Sequence, residues 1–372
     1  MATIRATGRF IAGAVLMLCI VALTAGTADA QEISNEAKIL LLQSKSKATS
    51  ILQAAGKSDS GRERLAALEG SQFAPDVAFE MARNGLSDEN PAVRFGALVT
   101  IGKLEFRGLA DAAVDLMKDD NESVRAAALF AAKKCGRDVD LSPLAGMLAN
   151  GSSGARANAA MLVGQLGDAQ AIEMLRDMAD QPMPRVNAAE RSWVRLQYAE
   201  AMIRLDPNDA EVLGSIRASV YSNLDDVRIL AIQILGEVGD RSVQGGLAHI
   251  VKRDNPIQVK IAAAQSLVRM GDQRAAGTLF QATRYDERQL RTDLQDYLRK
   301  NNVAGSEALI IQDLLSDEAA RKSTAGEVRA QAAIALGYVD SVDAAKRLIA
   351  LLEDPDAMVR IAASTSILRA LR

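Results

Sequence analysis

Val227-Arg228-Ile229-Leu230-Ala231-Ile232, followed by Leu235-Gly236 and closed by Val238-Gly239-Asp240, is the stretch that decides the fold. Apolar residues fall at i, i+3, i+4 and i+7, the spacing of a helix that buries one face. The terminal glycines, here Gly239 and elsewhere Gly167 and Gly271, suit the left-handed cap that ends such a helix. The same text returns along the chain. It reads Val93-Arg94-Phe95-Gly96-Ala97-Leu98, then Val124-Arg125-Ala126-Ala127-Ala128-Leu129, and later Val328-Arg329-Ala330-Gln331-Ala332-Ala333. Aligning the basic residue gives Arg94, Arg125, Arg156, Arg195, Arg228, Lys260, Arg291, Arg329 and Arg360, with steps of 31, 31, 39, 33, 32, 31, 38 and 31. A period in this range marks a solenoid, whose units are too small to bury their own apolar face and stack on one another. A shorter apolar helix precedes most of these stretches, as at Ala344 to Leu352, so each unit is a helix hairpin.

Asp88, Asp119, Asp254 and Asp354 each stand six residues before the basic residue, in the turn between the two helices. Stacked units then set carboxylates and cations in a ladder formed by Asp88, Arg94, Asp119, Arg125, Arg228, Asp254, Lys260, Arg329, Asp354 and Arg360. Ala189, Ser222, Tyr285 and Ser323 occupy the Asp position in other units and interrupt it. The ladder reads as an internal staple; a row of charges gripping an anionic ligand is the alternative. On these residues the chain resembles HEAT repeats, particularly the short variety found in bilin-lyase-like proteins, over residues 58–372, with a degenerate first unit at Asp59 to Leu68. The resemblance implies an all-α, right-handed α-solenoid superhelix of about nine or ten helix hairpins. It also implies, as one functional alternative, a chromophore-attachment enzyme.

The first thirty residues lie outside the repeat. Arg5 and Arg9 precede an apolar stretch from Phe10 to Ala25, and Ala28-Asp29-Ala30 forms a small-residue cleavage site, the pattern of a secretory signal peptide. Its apolar core is short beside the roughly 20 residues a spanning helix needs. The expected organisation is a signal peptide at 1–30, a capping helix at 31–57 covering the first hairpin, and the repeat solenoid at 58–372, in an exported bacterial protein. Cleavage leaves 42 basic and 46 acidic residues, a net charge near −4, once Arg5, Arg9 and Asp29 are gone. That balance gives no general attraction to nucleic acid or anionic lipid. Cys135 is then the one remaining thiol, so no intrachain disulfide forms.

Two steps in the repeat are long. The insertions fall around Gln181 to Asn187 and Ser316 to Ser323, where extra residues on one edge of a solenoid mark a candidate binding face. Near the first stand Arg185, Arg191, Trp193 and Tyr198, residue types enriched at interface hot spots, including the sole tryptophan. The single histidine, His249, has no partner set for a metal or for nucleophile–base chemistry. No cofactor is expected. The sequence therefore points to a non-enzymatic scaffold, periplasmic or secreted, that binds a protein partner and neither nucleic acid nor, after cleavage, the bilayer. A bilin-lyase-like enzyme or small-molecule carrier using the concave face is one alternative, and a self-associating spacer is another.

Overall fold

The computed structural model describes residues 34–372 apart from Arg185, Asp254 and Asn302, and apart from the side chains of Ser306 and Glu307. The expected signal segment lies outside the described residues. Among those residues there are 20 α-helices and no strand. Helix α1 (Asn35–Ala55) and helix α2 (Gly61–Ser71) come first. Six hairpins follow: α3 (Pro75–Gly85) with α4 (Pro91–Leu104), α5 (Ala110–Asp115) with α6 (Glu122–Lys134), and α7 (Ser142–Asn150) with α8 (Ser153–Leu166). The next three are α9 (Ala171–Asp180) with α10 (Ala188–Leu205), α11 (Ala210–Ser219) with α12 (Asp225–Val238), and α13 (Gln244–Lys252) with α14 (Ile257–Arg269). The last stretch holds α15 (Ala276–Ala282), α16 (Glu287–Lys300), α17 (Ser306–Ser316), α18 (Glu318–Leu336), α19 (Val342–Leu351) and α20 (Ala357–Ala370).

The described residues divide into two compact units, Gly56–Val238 and Gly239–Arg372, the latter joined by residues 34–55. In the first unit the second helices of the hairpins stack in the order α2, α4, α6, α8, α10, α12. Small residues set the spacing. A Cβ on Gly102 would meet Phe130 at 2.4 Å, and one on Gly164 would meet the Ala201 backbone at 3.0 Å. Three residues after the basic position stand Ala97, Ala128, Ala159, Tyr198 and Ala231 in this unit, and Ala263, Ala332 and Ala363 in the other, every one fully buried. Through the middle of these helices burial is continuous, from Phe95 to Gly102, Ala126 to Ala132, Leu196 to Ile203, Ile261 to Val268 and Ile361 to Leu368. Each hairpin starts and stops on local chemistry. Asn90 and Asn121 accept the amide hydrogens of the second helix's first turn, as N-caps do. Gly167, Gly239 and Gly271 take φ of 82°, 77° and 93° where the helix ends.

The second unit stacks as α14, α18, α20 and then α1. Helix α1 thus covers the last hairpin and not the first, which the sequence reading expects it to cover. It buries Ala37, Leu41, Ala48 and Leu52 on α20 and α19. The Ser34 amide donates to Asp340 Oδ1 at 2.9 Å, and Lys47 pairs with Glu353. The physical reason is that α20 has an apolar flank, which α1 buries in the place a further unit would take.

The sequence register also changes here. The neighbour of α14 in the stack is α18, which also packs on α15. Helices α16 and α17 lie to the side against α18, and Leu290 is the one buried residue of α16. Arg291, aligned with the repeat in the sequence, is exposed. Ser316 to Ser323 is likewise no long loop: Ser316 ends α17, Asp317 caps α18, and α18 runs unbroken from Glu318.

Candidate functional site

Three rungs of the charge ladder form in full. Arg64 donates from Nε and Nη2 to the two oxygens of Asp88, both at 2.7 Å. Arg94 does the same to Asp119 at 2.8 and 3.0 Å, and Arg329 to Asp354 at 2.9 and 2.8 Å. In each rung the aspartate lies in the turn of the next unit and also accepts the amide of the residue two positions on, Asn90, Asn121 or Asp356. The remaining guanidinium nitrogen turns back to its own unit. Nη1 of Arg94 donates to the Asp88 and Glu89 carbonyls, Nη1 of Arg125 to those of Asp119 and Asp120, and Nη1 of Arg360 to those of Asp354 and Pro355. Bidentate forks of this kind combine charge with fixed geometry. Burial by itself would raise the carboxyls of Asp88 and Asp119. The arginine forks and turn amides outweigh it and hold both below the usual carboxylate range.

This rung geometry also fixes where the repeat resumes after α15. Nη1 of Arg329 reaches the carbonyl of Tyr285 at 3.0 Å, 44 residues back, where Arg94 reaches Asp88 only 6 back. The difference is 38 residues. They make up an excursion, residues 286–323, set into a unit that is otherwise regular. Arg347 on α19 confirms the register by donating to the Thr283 carbonyl at 2.7 Å and its Oγ1 at 2.9 Å, 64 residues away. Where α16 leaves the stack it borders an open cavity of about 410 Å³ with α13, α14 and α15, lined by Lys260, Tyr285, Arg288 and Asp293 among others.

The profile for HEAT repeats matches residues 79–155, 110–193, 211–299 and 314–369. The chain belongs to the HEAT-repeat family. Among solved structures it is similar to the CpcE–CpcF phycocyanin lyase complex of Nostoc, at 17% identity and a TM-score of 0.40, over 62% of this chain and 92% of that one. It is also similar to human deoxyhypusine hydroxylase in complex with glycerol, at 19% identity and a TM-score of 0.30, over 73% and 98%. Comparison with curated proteins gives no match.

Within the HEAT frame the residues singled out by sequence separate. Tyr198 is fully buried in the slot that holds alanine in the other HEAT units, and its hydroxyl donates to the Leu148 carbonyl at 2.7 Å. It is therefore a core residue and not a contact for a partner. Arg191 is half-buried and donates to the Met183 carbonyl at 3.3 Å; Trp193 is half-buried too, and Arg185 lies outside the described residues. Of the ladder positions, Arg228 pairs with Asp225 at 3.0 Å, three residues earlier on its own helix, and Asp254 lies outside the described residues. The rung from Arg64 to Asp88 was missed because its unit lacks a first helix. Arg64 lies 24 residues before Asp88, close to the 25 of the other rungs, which is the signal that finds it. Among the described residues no group of three or more His, Cys, Asp or Glu side chains could hold a metal, and His249 is exposed.

One carboxyl stands apart electrostatically. Asp226, half-buried at the start of α12, is pushed up to about 7 by burial first and by Asp225 second. An acid raised above its unfolded value of about 3.9 binds an extra proton in the fold between those two values. Its contribution to stability therefore falls as pH rises from about 4 to about 7. Asp226→Asn is expected to raise stability at pH 8 by about 1 kcal/mol, after allowance for its partial exposure. The gain should vanish toward pH 4. Urea unfolding at the two pH values checks this; a gain that is the same at both would assign it to something other than ionisation.

Proposed function

We propose that this HEAT-repeat protein is a non-enzymatic scaffold of the cell envelope or extracellular space that holds a protein partner through the excursion, α16 and α17. One observation carries the reading. Leu309 is 66% exposed, Ile310 45% and Tyr297 37%, all on helices the stack does not use to continue itself. The second helices of the HEAT hairpins, by contrast, are buried through their middles and offer little surface to a partner. Aromatic and large aliphatic side chains are the usual anchors of a protein interface. Export is supported by the signal-like pattern of residues 1–30. Among the described residues no helix is long and apolar enough to cross a membrane.

The double variant Leu309→Glu/Ile310→Glu tests the surface. Both side chains are exposed, so the fold should be kept and the melting temperature unchanged. Co-purification of the partner from the native host should be lost. Retained co-purification would exclude this surface, and recovery of nothing but further copies of the chain by the wild type would favour the self-associating spacer.

A further inference from the structure

The complete rungs define what the HEAT stack builds at a turn: a cation on one second helix and, 24 or 25 residues later, an aspartate in the next turn. Counting 25 from Lys260 gives Tyr285. Tyr285 performs the backbone half of the rung, because its carbonyl accepts from Arg329. It has no carboxylate for the other half. Its own hydroxyl donates to Oδ2 of Asp293, the one acidic side chain lining the cavity, at 2.6 Å, which leaves the lining with two cations against one carboxylate. Lys260 has neither an ion pair nor a side-chain hydrogen bond with any described residue, and the same holds for the guanidinium of Arg288. Both cations line the cavity of about 410 Å³, together with Thr278, with Thr292, whose hydroxyl donates to the Arg288 carbonyl at 3.0 Å, and with the apolar wall of Val251 and Ile257. That volume lies in the range of about 300–1,000 Å³ found for small-molecule sites.

We propose that this cavity binds a small oxyanion, the carboxylate of an organic acid or inorganic phosphate, which takes the place an aspartate holds in the complete rungs. Lys260 supplies a compact point charge with three donors, and Arg288 a planar fork at the cavity mouth. The Thr278 hydroxyl adds a neutral donor, and the apolar wall accommodates a short carbon chain. The excursion creates the site, since α16 brings Arg288 and Thr292 to a turn that in the three complete rungs is closed by its own aspartate.

Calorimetric titration of the purified full chain with succinate and, separately, with inorganic phosphate, at constant ionic strength, tests the proposal. Saturable binding of at least one anion is expected, and the two arms distinguish a carboxylate from a phosphate ligand. Succinamide, the uncharged counterpart, should not bind. Lys260→Met and Arg288→Gln should each weaken binding about tenfold or more, the loss of one charged hydrogen bond. Neither side chain has an ion pair or side-chain hydrogen bond among the described residues, so the melting temperatures of the variants should match the wild type. Absence of saturable binding by either anion overturns the proposal. So does equal binding by wild type and Lys260→Met, which would reflect the general action of such anions on protein surfaces.

Discussion

Arg94→Ala is expected to lower the free energy of unfolding by about 3–5 kcal/mol, because it removes one partner of a buried ion pair and leaves the other behind. The Asp119 side chain is 7% exposed and keeps one amide donor, from Asn121. The carbonyls of Asp88 and Glu89 lose the same guanidinium, so the turn of the unit itself comes loose. A surface pair provides the contrast. Arg83 and Glu80 are each more than half exposed, and Arg83→Ala should change stability by less than about 1 kcal/mol. The pH dependence has a definite sign. Asp119 is held below its unfolded value, so the rung contributes fully above about pH 4 and is lost as pH falls through the lower folded value. Denaturant unfolding of both variants at neutral pH, and of the wild type into the acid range, checks the set. Equal losses for Arg94→Ala and Arg83→Ala would mean that the ladder is ornamental.

Removing the excursion should have the opposite outcome for the fold and the largest effect on binding. Deleting residues 286–323 joins Tyr285 to Thr324 and cuts the distance from Lys260 to Arg329 from 69 residues to 31, the commonest step of the repeat. Arg329 can then keep both the Tyr285 carbonyl and the Asp354 fork. The deletion forfeits little burial beyond Leu290 and Ile311. The shortened chain is expected to fold cooperatively, with a melting temperature within about 5 °C of the wild type, a shift equivalent to one or two kcal/mol. Association with the partner should be abolished. Calorimetric melting and co-purification read the two halves. A deletion variant that fails to fold would show that α16 and α17 are part of the stack itself.

The period, the glycine ends of the helices and the ladder at Asp88, Asp119 and Asp354 were legible because each is a local pattern repeated in register. The excursion was not, because Leu290-Arg291 imitates the repeated Val-Arg pair at the expected distance. A signal was nevertheless present three residues on. Alanine fills that slot after Arg94, Arg125, Arg156, Arg228, Lys260, Arg329 and Arg360, whereas Arg291 is followed by Thr292-Asp293-Leu294. The polar pair Thr292-Asp293 stands where the repeat helices bury Phe95-Gly96, Ala126-Ala127 and Ile229-Leu230, and burying two unpaired polar side chains in the stack would be costly. The same comparison would have placed Tyr198, which stands three residues after Arg195, in the core and not on a binding face. The apolar stripe of Ala37, Leu41, Ala48 and Leu52 announces that α1 buries a face. Which end of the stack it covers is decided by contacts more than 300 residues away, such as Ser34 with Asp340, and no local pattern encodes them.

Cross-linking mass spectrometry on the full chain in its own host, with the Leu309→Glu/Ile310→Glu variant alongside, tests the scaffold reading most directly. Cross-links are expected from Lys300, the lysine that closes α16, to one reproducible protein other than the chain itself. They should disappear in the variant while its melting temperature holds. Cross-links to a partner that persist in the variant, or that gather on residues remote from α16 and α17, would contradict it.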